Sequence, residues 1–162
     1  MLNITNQRFF CEIIADAVVQ THLTCSDLGL RDRWINAIAK AAAIILEGDL
    51  TFLHWNPFED ILYFWSTDSD EIYQTAVACQ CPAYLQKNPQ PCYHRAMWQL
   101  IKNYFDFLQK PNEISQIDFA DAVFFDPDLS IIQKINLLNL SILEGRTELI
   151  PPVDVLERHV SE

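Results

Sequence analysis

The sequence predicts an α+β fold, and three observations predict it. Apolar residues recur at helical spacing near both ends of the chain, short aromatic and β-branched runs fill residues 51–77, and turn-forming residues separate those runs. The expected order is N-terminal helices, a small antiparallel hairpin or three-stranded meander, a ββα unit, and C-terminal helices. The 162 residues suit one compact domain, with a helical region at 1–50, a central module at 51–110 and an acidic helical tail at 111–162.

The first helix is expected from about Asn6 to Thr21. Phe9, Phe10, Ile13, Ile14, Ala17 and Val18 make its apolar stripe, with Gln7, Glu12, Asp16 and Gln20 on its other faces. Ser26 and Asp27 are suited to cap a second helix carrying Trp34, Ile35, Ile38, Ala41, Ala42 and Ile45, and Gly48 stands where a helix stops. Strands follow at Thr51–Trp55, Ile61–Ser66 and Ile72–Val77, divided by Asn56-Pro57 and by Ser66–Asp70. The last strand leads to Cys79. Cys92 opens a further helix that runs to about Leu108, and Pro111 stops it. A final helix is expected near Leu129–Leu143, closed by Gly145.

Composition excludes several classes of function. With glycines only at 29, 48 and 145, no Gly-rich phosphate loop can be written. The formal charge of −11 argues against a general polyanion binder. Only residues 83–110 are basic on balance, with Lys87, Arg95, Lys102 and Lys110 set against Asp106 alone. Five cysteines, an odd number, read as reduced thiols in a cytoplasmic protein rather than as a disulfide framework. Neither a signal-peptide h-region nor an apolar run long enough for a membrane span is present, so no membrane partner is expected. Carboxylate pairs such as Glu59-Asp60 and Asp126-x-Asp128 read as caps or solvated turns, and no nucleophile–base constellation has a local signature. The expectation is a protein that is not an enzyme and has no small-molecule substrate.

One cluster carries specific chemistry. Cys79-Gln80-Cys81, a ten-residue spacer and Cys92-Tyr93-His94 supply three thiolates and an imidazole, the soft donors that tetrahedral zinc prefers. Pro82, Pro89 and Pro91 make the spacer read as a loop that folds back. Four protein ligands leave no vertex for water or substrate, so the expected Zn2+ is structural. His22, His54 and His159 lack comparable neighbours in sequence, and Cys11 and Cys25 read as inert core thiols.

The order strand, strand, Cys-x-Cys, loop, Cys-x-His, helix resembles the SWIM-type zinc finger, whose pattern CxCxnCxH is matched here at all four ligand positions by Cys79, Cys81, Cys92 and His94. The resemblance covers roughly residues 60–108. It implies a ββα module that binds DNA or protein without chemistry of its own. On that reading Lys87, Arg95, Lys102 and Lys110 would meet phosphates, with Tyr84, Tyr93 or Trp98 for stacking. The alternative is an adaptor whose acidic body meets a basic protein partner, with the tail either free or folded over the finger.

Overall fold

A computed structural model describes residues 4–48, 50–66, 70–85, 91–109, 126 and 128–145. The chain is α+β: helices α1 (Gln7–Thr24) and α2 (Leu28–Glu47), strands β1 (Leu53–Asn56), β2 (Ile61–Ser66) and β3 (Glu71–Thr75), a single helical turn α3 (Pro82–Leu85), and helices α4 (Tyr93–Phe107) and α5 (Ile131–Leu143).

Caps set the helix starts. The Asn6 carboxamide accepts from the Phe9 N–H, and the Asp27 carboxylate accepts from the Leu30 N–H. Ser130 and Gln133 form a reciprocal capping box at the start of α5. Helix α2 ends at Gly48 with extended backbone, φ −95°, and not in the left-handed region. A Cβ at that glycine would lie 2.5 Å from the Ile44 carbonyl oxygen, so a close approach to backbone is what demands glycine there. Gly145, at φ +71°, is the left-handed terminator of α5.

The apolar stripes of α1, α2 and α4 bury one another, with Phe10, Ile13, Ile14, Ala41, Leu100 and Ile101 almost wholly removed from water. Each large side chain so buried is worth about 1.5–3 kcal/mol. Helix α5 packs on α1 and α2 through Ile131, Ile135 and Leu138. Part of the acidic C-terminal region therefore belongs to the core. Asp16, expected on a polar face of α1, is 3% exposed.

The three strands form an antiparallel meander in the order β1-β2-β3. Its register pairs Leu53 with Phe64, Trp55 with Leu62, Leu62 with Thr75 and Phe64 with Tyr73 on the inner face, and His54 with Tyr63 and Trp65 with Ile72 on the outer. The inner face meets α4: Trp55 stacks on Phe105, with planes 11° apart, and the Trp98 indole N–H donates to the Asp60 carbonyl at 2.7 Å. Asp60 needs that anchor because it holds a left-handed conformation, φ 53°, at the end of the β1–β2 turn.

One contact between the chain's halves is pH-sensitive. His22 on α1 and Asn139 on α5 lie 2.7 Å apart through Nε2 and Oδ1. Burial pushes the His22 pKa below its ordinary value, against the Asn139 hydrogen bond and with help from Arg31. The folded state thus prefers neutral His22, so this site's contribution is complete above the unfolded histidine pKa of about 6.5 and is lost as pH falls towards the lower folded value. The melting temperature should fall more steeply from pH 7 to pH 5 in the wild type than in His22→Gln. Equal slopes would remove His22 from the account.

Candidate metal centre

The chain reverses immediately after β3. The Gln80 N–H donates to the Gln74 carbonyl at 3.2 Å, and the Gln80 side-chain oxygen accepts from the Gln74 N–H at 3.1 Å. This return places Cys79 opposite Thr75. Cys81 then leads into α3, whose Leu85 N–H donates to the Cys81 carbonyl. The spacer was expected to be a loop throughout, yet its first four residues make this helical turn. Proline suits the first helical position, where no N–H is needed. Cys92 is the N-cap of α4, and His94 lies in its first turn.

These three local structures bring the four side chains together. The Cys81 and Cys92 sulfurs are 3.3 Å apart, Cys92 Sγ lies 3.4 Å from His94 Nδ1, and Cys79 Sγ lies 4.0 Å from it. All four donor atoms fall within 4.8 Å of one another. Zn–S bonds of about 2.3 Å and Zn–N bonds of about 2.0–2.1 Å at tetrahedral angles require edges of about 3.5–3.8 Å. The observed separations scatter around those edges. The donor set and its spacing fit a four-coordinate metal ion.

Neighbouring groups fix the ligands. The Thr75 hydroxyl donates to Cys79 Sγ at 3.0 Å and the Cys81 N–H reaches the same sulfur at 3.4 Å. The His94 ring lies flat on Phe64 of β2, centroids 3.7 Å apart and planes within 12°, with Tyr93 on a neighbouring side. Stacking sets the ring plane so that Nδ1 faces the sulfurs. The cluster therefore ties the sheet and its returning loop to the start of α4. Cys79, Cys81 and Cys92 are all buried.

Burial and proximity split the thiols. Cys79 is pulled far below the usual thiol range, first by its hydrogen bond with Cys92; burial opposes this, and the smaller contributions of His94, Thr75 and the Cys81 backbone add to the lowering. The Cys92 thiol is pushed up, first because it donates to Cys79 and then by desolvation, with the Arg95 backbone N–H pulling the other way. Burial raises Cys81 as well. Three sulfurs this close cannot all be anionic without a cation among them.

The basic side chains are placed differently. Lys102 pairs with Asp106 at 2.7 Å and Asp60 at 3.7 Å, and the Asp106 hydrogen bond leads the causes that raise its pKa. The Arg95 guanidinium lies over the rings of Trp34 and Tyr84, at 5.5 and 5.3 Å. Trp98 is buried, and Tyr93 has the Lys40 ammonium 4.0 Å from its ring. Lys87 and Lys110 lie outside the described residues. The sequence missed the Lys102–Asp60 pair because its partners are distant along the chain. It also placed Cys25 in the core, whereas that residue is only half-buried.

No protein-family model matches the chain, and no curated protein or solved structure matches it either. Among the described residues no helix is long and apolar enough to cross a membrane.

Proposed function

We propose that this chain is a non-catalytic binding module stapled by one structural zinc ion, held by Cys79, Cys81, Cys92 and His94, and that its partner is a basic protein surface. The observation that carries the metal is the closed donor set: three sulfurs and one imidazole nitrogen all within 4.8 Å of one another, with separations of 3.3, 3.4 and 4.0 Å among them. Thiolate-rich donors favour zinc over hard cations. Four protein ligands make its role structural.

Charge supports the partner class. The net −11 attracts basic surfaces, while Arg95 and Lys102 are already engaged within the protein. A second reading, binding to nucleic acid through Lys87, Arg95, Lys102 and Lys110, draws its support from the CxCxnCxH pattern and its resemblance to the SWIM-type finger.

Native mass spectrometry of wild type and Cys92→Ala tests the metal: one zinc per chain is expected, lost in the variant. Reduced, folded protein that binds no zinc would overturn the reading. Fluorescence anisotropy with a labelled Lys/Arg-rich peptide, a single-stranded oligonucleotide and a duplex separates the partner classes. The peptide should bind and weaken as salt rises from 50 to 200 mM, with neither oligonucleotide bound. Oligonucleotide binding that Arg95→Ala and Lys87→Ala weaken would put nucleic acid first.

A further inference from the structure

The outer face of the β-meander, turned away from α4, is a floor of rings and aliphatic carbon with no formal charge. Trp65 stands between Phe52, whose ring is 5.4 Å away, and its cross-strand partner Ile72. One row along, His54 pairs with Tyr63 and Tyr63 with Gln74. Trp65 and Ile72 keep 46% and 68% of their surface in water, and His54 and Gln74 are exposed as well. Large apolar side chains gathered on one solvated face mark a place where something binds.

Charge says what kind of thing. No lysine or arginine occurs between Lys40 and Lys87, so the sheet and its turns contribute no cation. Carboxylates stand at both ends of the floor, Glu59 with Asp60 in the β1–β2 turn and Asp70 with Glu71 where β3 begins. Asp60 pairs with Lys102, whereas Glu59, Asp70 and Glu71 enter no ion pair among the described residues. Asp70 is tied to the floor itself: in a left-handed conformation, φ 51°, it accepts the Trp65 indole N–H at 3.0 Å. That bond occupies one carboxylate oxygen, keeps the negative charge and pins the edge of the indole. Elsewhere the chain covers its rings with its own cations, Lys40 over Tyr93 and Arg95 over Trp34 and Tyr84. Among the described residues none reaches Trp65 or Tyr63.

We propose that this face docks an arginine-rich segment of another protein, with a guanidinium on Trp65, its charge towards Asp70 and its methylenes along Ile72. The proposal rests on the reading of a basic protein partner given above and names the surface that meets it. Arginine suits the floor better than lysine, because a planar guanidinium stacks on an indole and can give two parallel N–H bonds to one carboxylate. Bare rings could also stack nucleic-acid bases, but carboxylates at both ends of the floor repel phosphates. The occupant leaves the Cys/His cluster untouched, since His94 stacks on Phe64 at the inner face.

The test follows the Trp65 indole N–H and the backbone amides of the full chain by NMR. The probes are a capped Gly-Arg-Gly-Arg-Gly peptide and its counterparts with lysine or glutamine in place of arginine. Saturable shifts at Trp65 and along β2 and β3 are expected with the arginine peptide, smaller ones with lysine and none with glutamine. Trp65→Ala and Asp70→Asn should each weaken the arginine peptide about five- to tenfold, the scale of a cation held on an aromatic ring. Asparagine tolerates the left-handed backbone and still accepts from the indole, so Asp70→Asn removes the charge alone and decides the matter if Trp65→Ala does not fold. Asp32→Asn, the same charge change at an exposed position of α2, should leave binding nearly unaltered. Arginine binding that survives both floor substitutions would overturn this surface and leave the basic-partner reading standing. No binding by the arginine peptide would overturn both. Equal binding of the glutamine peptide would make the floor a neutral contact, and self-association in sedimentation that Trp65→Ala abolishes would give it to a second copy of the chain. Either result overturns the proposal.

Discussion

With the zinc proposed for the cluster, stripping it with a strong chelator, or replacing Cys92 by Ala, should unfold the segment from the end of β3 to the first turn of α4 while α1 and α2 stay packed. The two helices bury Phe10, Ile13, Ile14, Ala41 and Ala42 against each other and against α4 and α5, independently of the cluster. Among the described residues the returning loop adds only Cys79 and Cys81 to the apolar core, with Ala76 and Tyr84 packed against it. It is held by a few hydrogen bonds around Gln74 and Gln80, by a single helical turn and by the cluster itself. A structural zinc of this kind contributes on the order of 10 kcal/mol of apparent binding free energy at neutral pH, far more than those contacts supply. Hydrogen exchange should show the loss as protection vanishing from about residue 74 to 96 and persisting in α1 and α2. Unchanged protection throughout would mean that the four side chains stabilise nothing through a metal.

The same site sets a pH dependence. Cys79 is held low while Cys81 and Cys92 are pushed up, so binding zinc as three thiolates must expel about two protons at neutral pH. Zinc affinity should therefore rise by about a hundredfold per pH unit where both are protonated, and fall as acid is added. Competition with a chromophoric chelator at pH 6, 7 and 8 measures that slope. A slope near zero would contradict the split among the thiols.

The second large effect is expected at Tyr104, among the largest side chains in the molecule that are almost wholly buried. Its ring contacts Phe9, Phe10 and Phe105, with centroids 5.1–5.8 Å away, and its hydroxyl accepts from the Asn6 N–H at 3.1 Å. It thereby joins the last turns of α4 to the cap of α1. Tyr104→Ala should cost about 3–5 kcal/mol, from lost transfer energy and the cavity left behind. Tyr104→Phe keeps the ring and should cost only about 1 kcal/mol, for the hydrogen bond. Urea unfolding of the two variants measures the difference. Comparable losses would mean that the hydroxyl, and not the packing, dominates.

Much of this architecture is legible in the sequence because its elements are set locally. Asp27 and Gly48 bracket α2, and alternation in Leu53–Trp55 and Leu62–Phe64 marks the buried face of the meander. The four candidate metal donors are legible because ligand type and spacing are written in sixteen consecutive residues. What could not be read depends on tertiary neighbours. Asp16 looks like any surface carboxylate on α1 until α2 and α4 close over it. Arg95 and Lys102 look like free cations until Trp34, Tyr84 and Asp60 arrive from other elements. Helix α5, which holds no Asp or Glu, sits in a remainder that is acidic by composition, and only its packing on α1 and α2 shows which core it joins.

The span of the cluster also bears on the order in which the molecule assembles. Its four donors close a loop of only sixteen residues, whereas Tyr104 must find Asn6 across 98 positions and His22 must find Asn139 across 117. Closure entropy grows only with the logarithm of loop length, yet rates fall as contacts become less local. With the proposed zinc in place, this turn is expected to form early, as a preassembled corner on which α4 is aimed before the helices dock. Stopped-flow refolding should then be faster with zinc present from the start than with zinc added last.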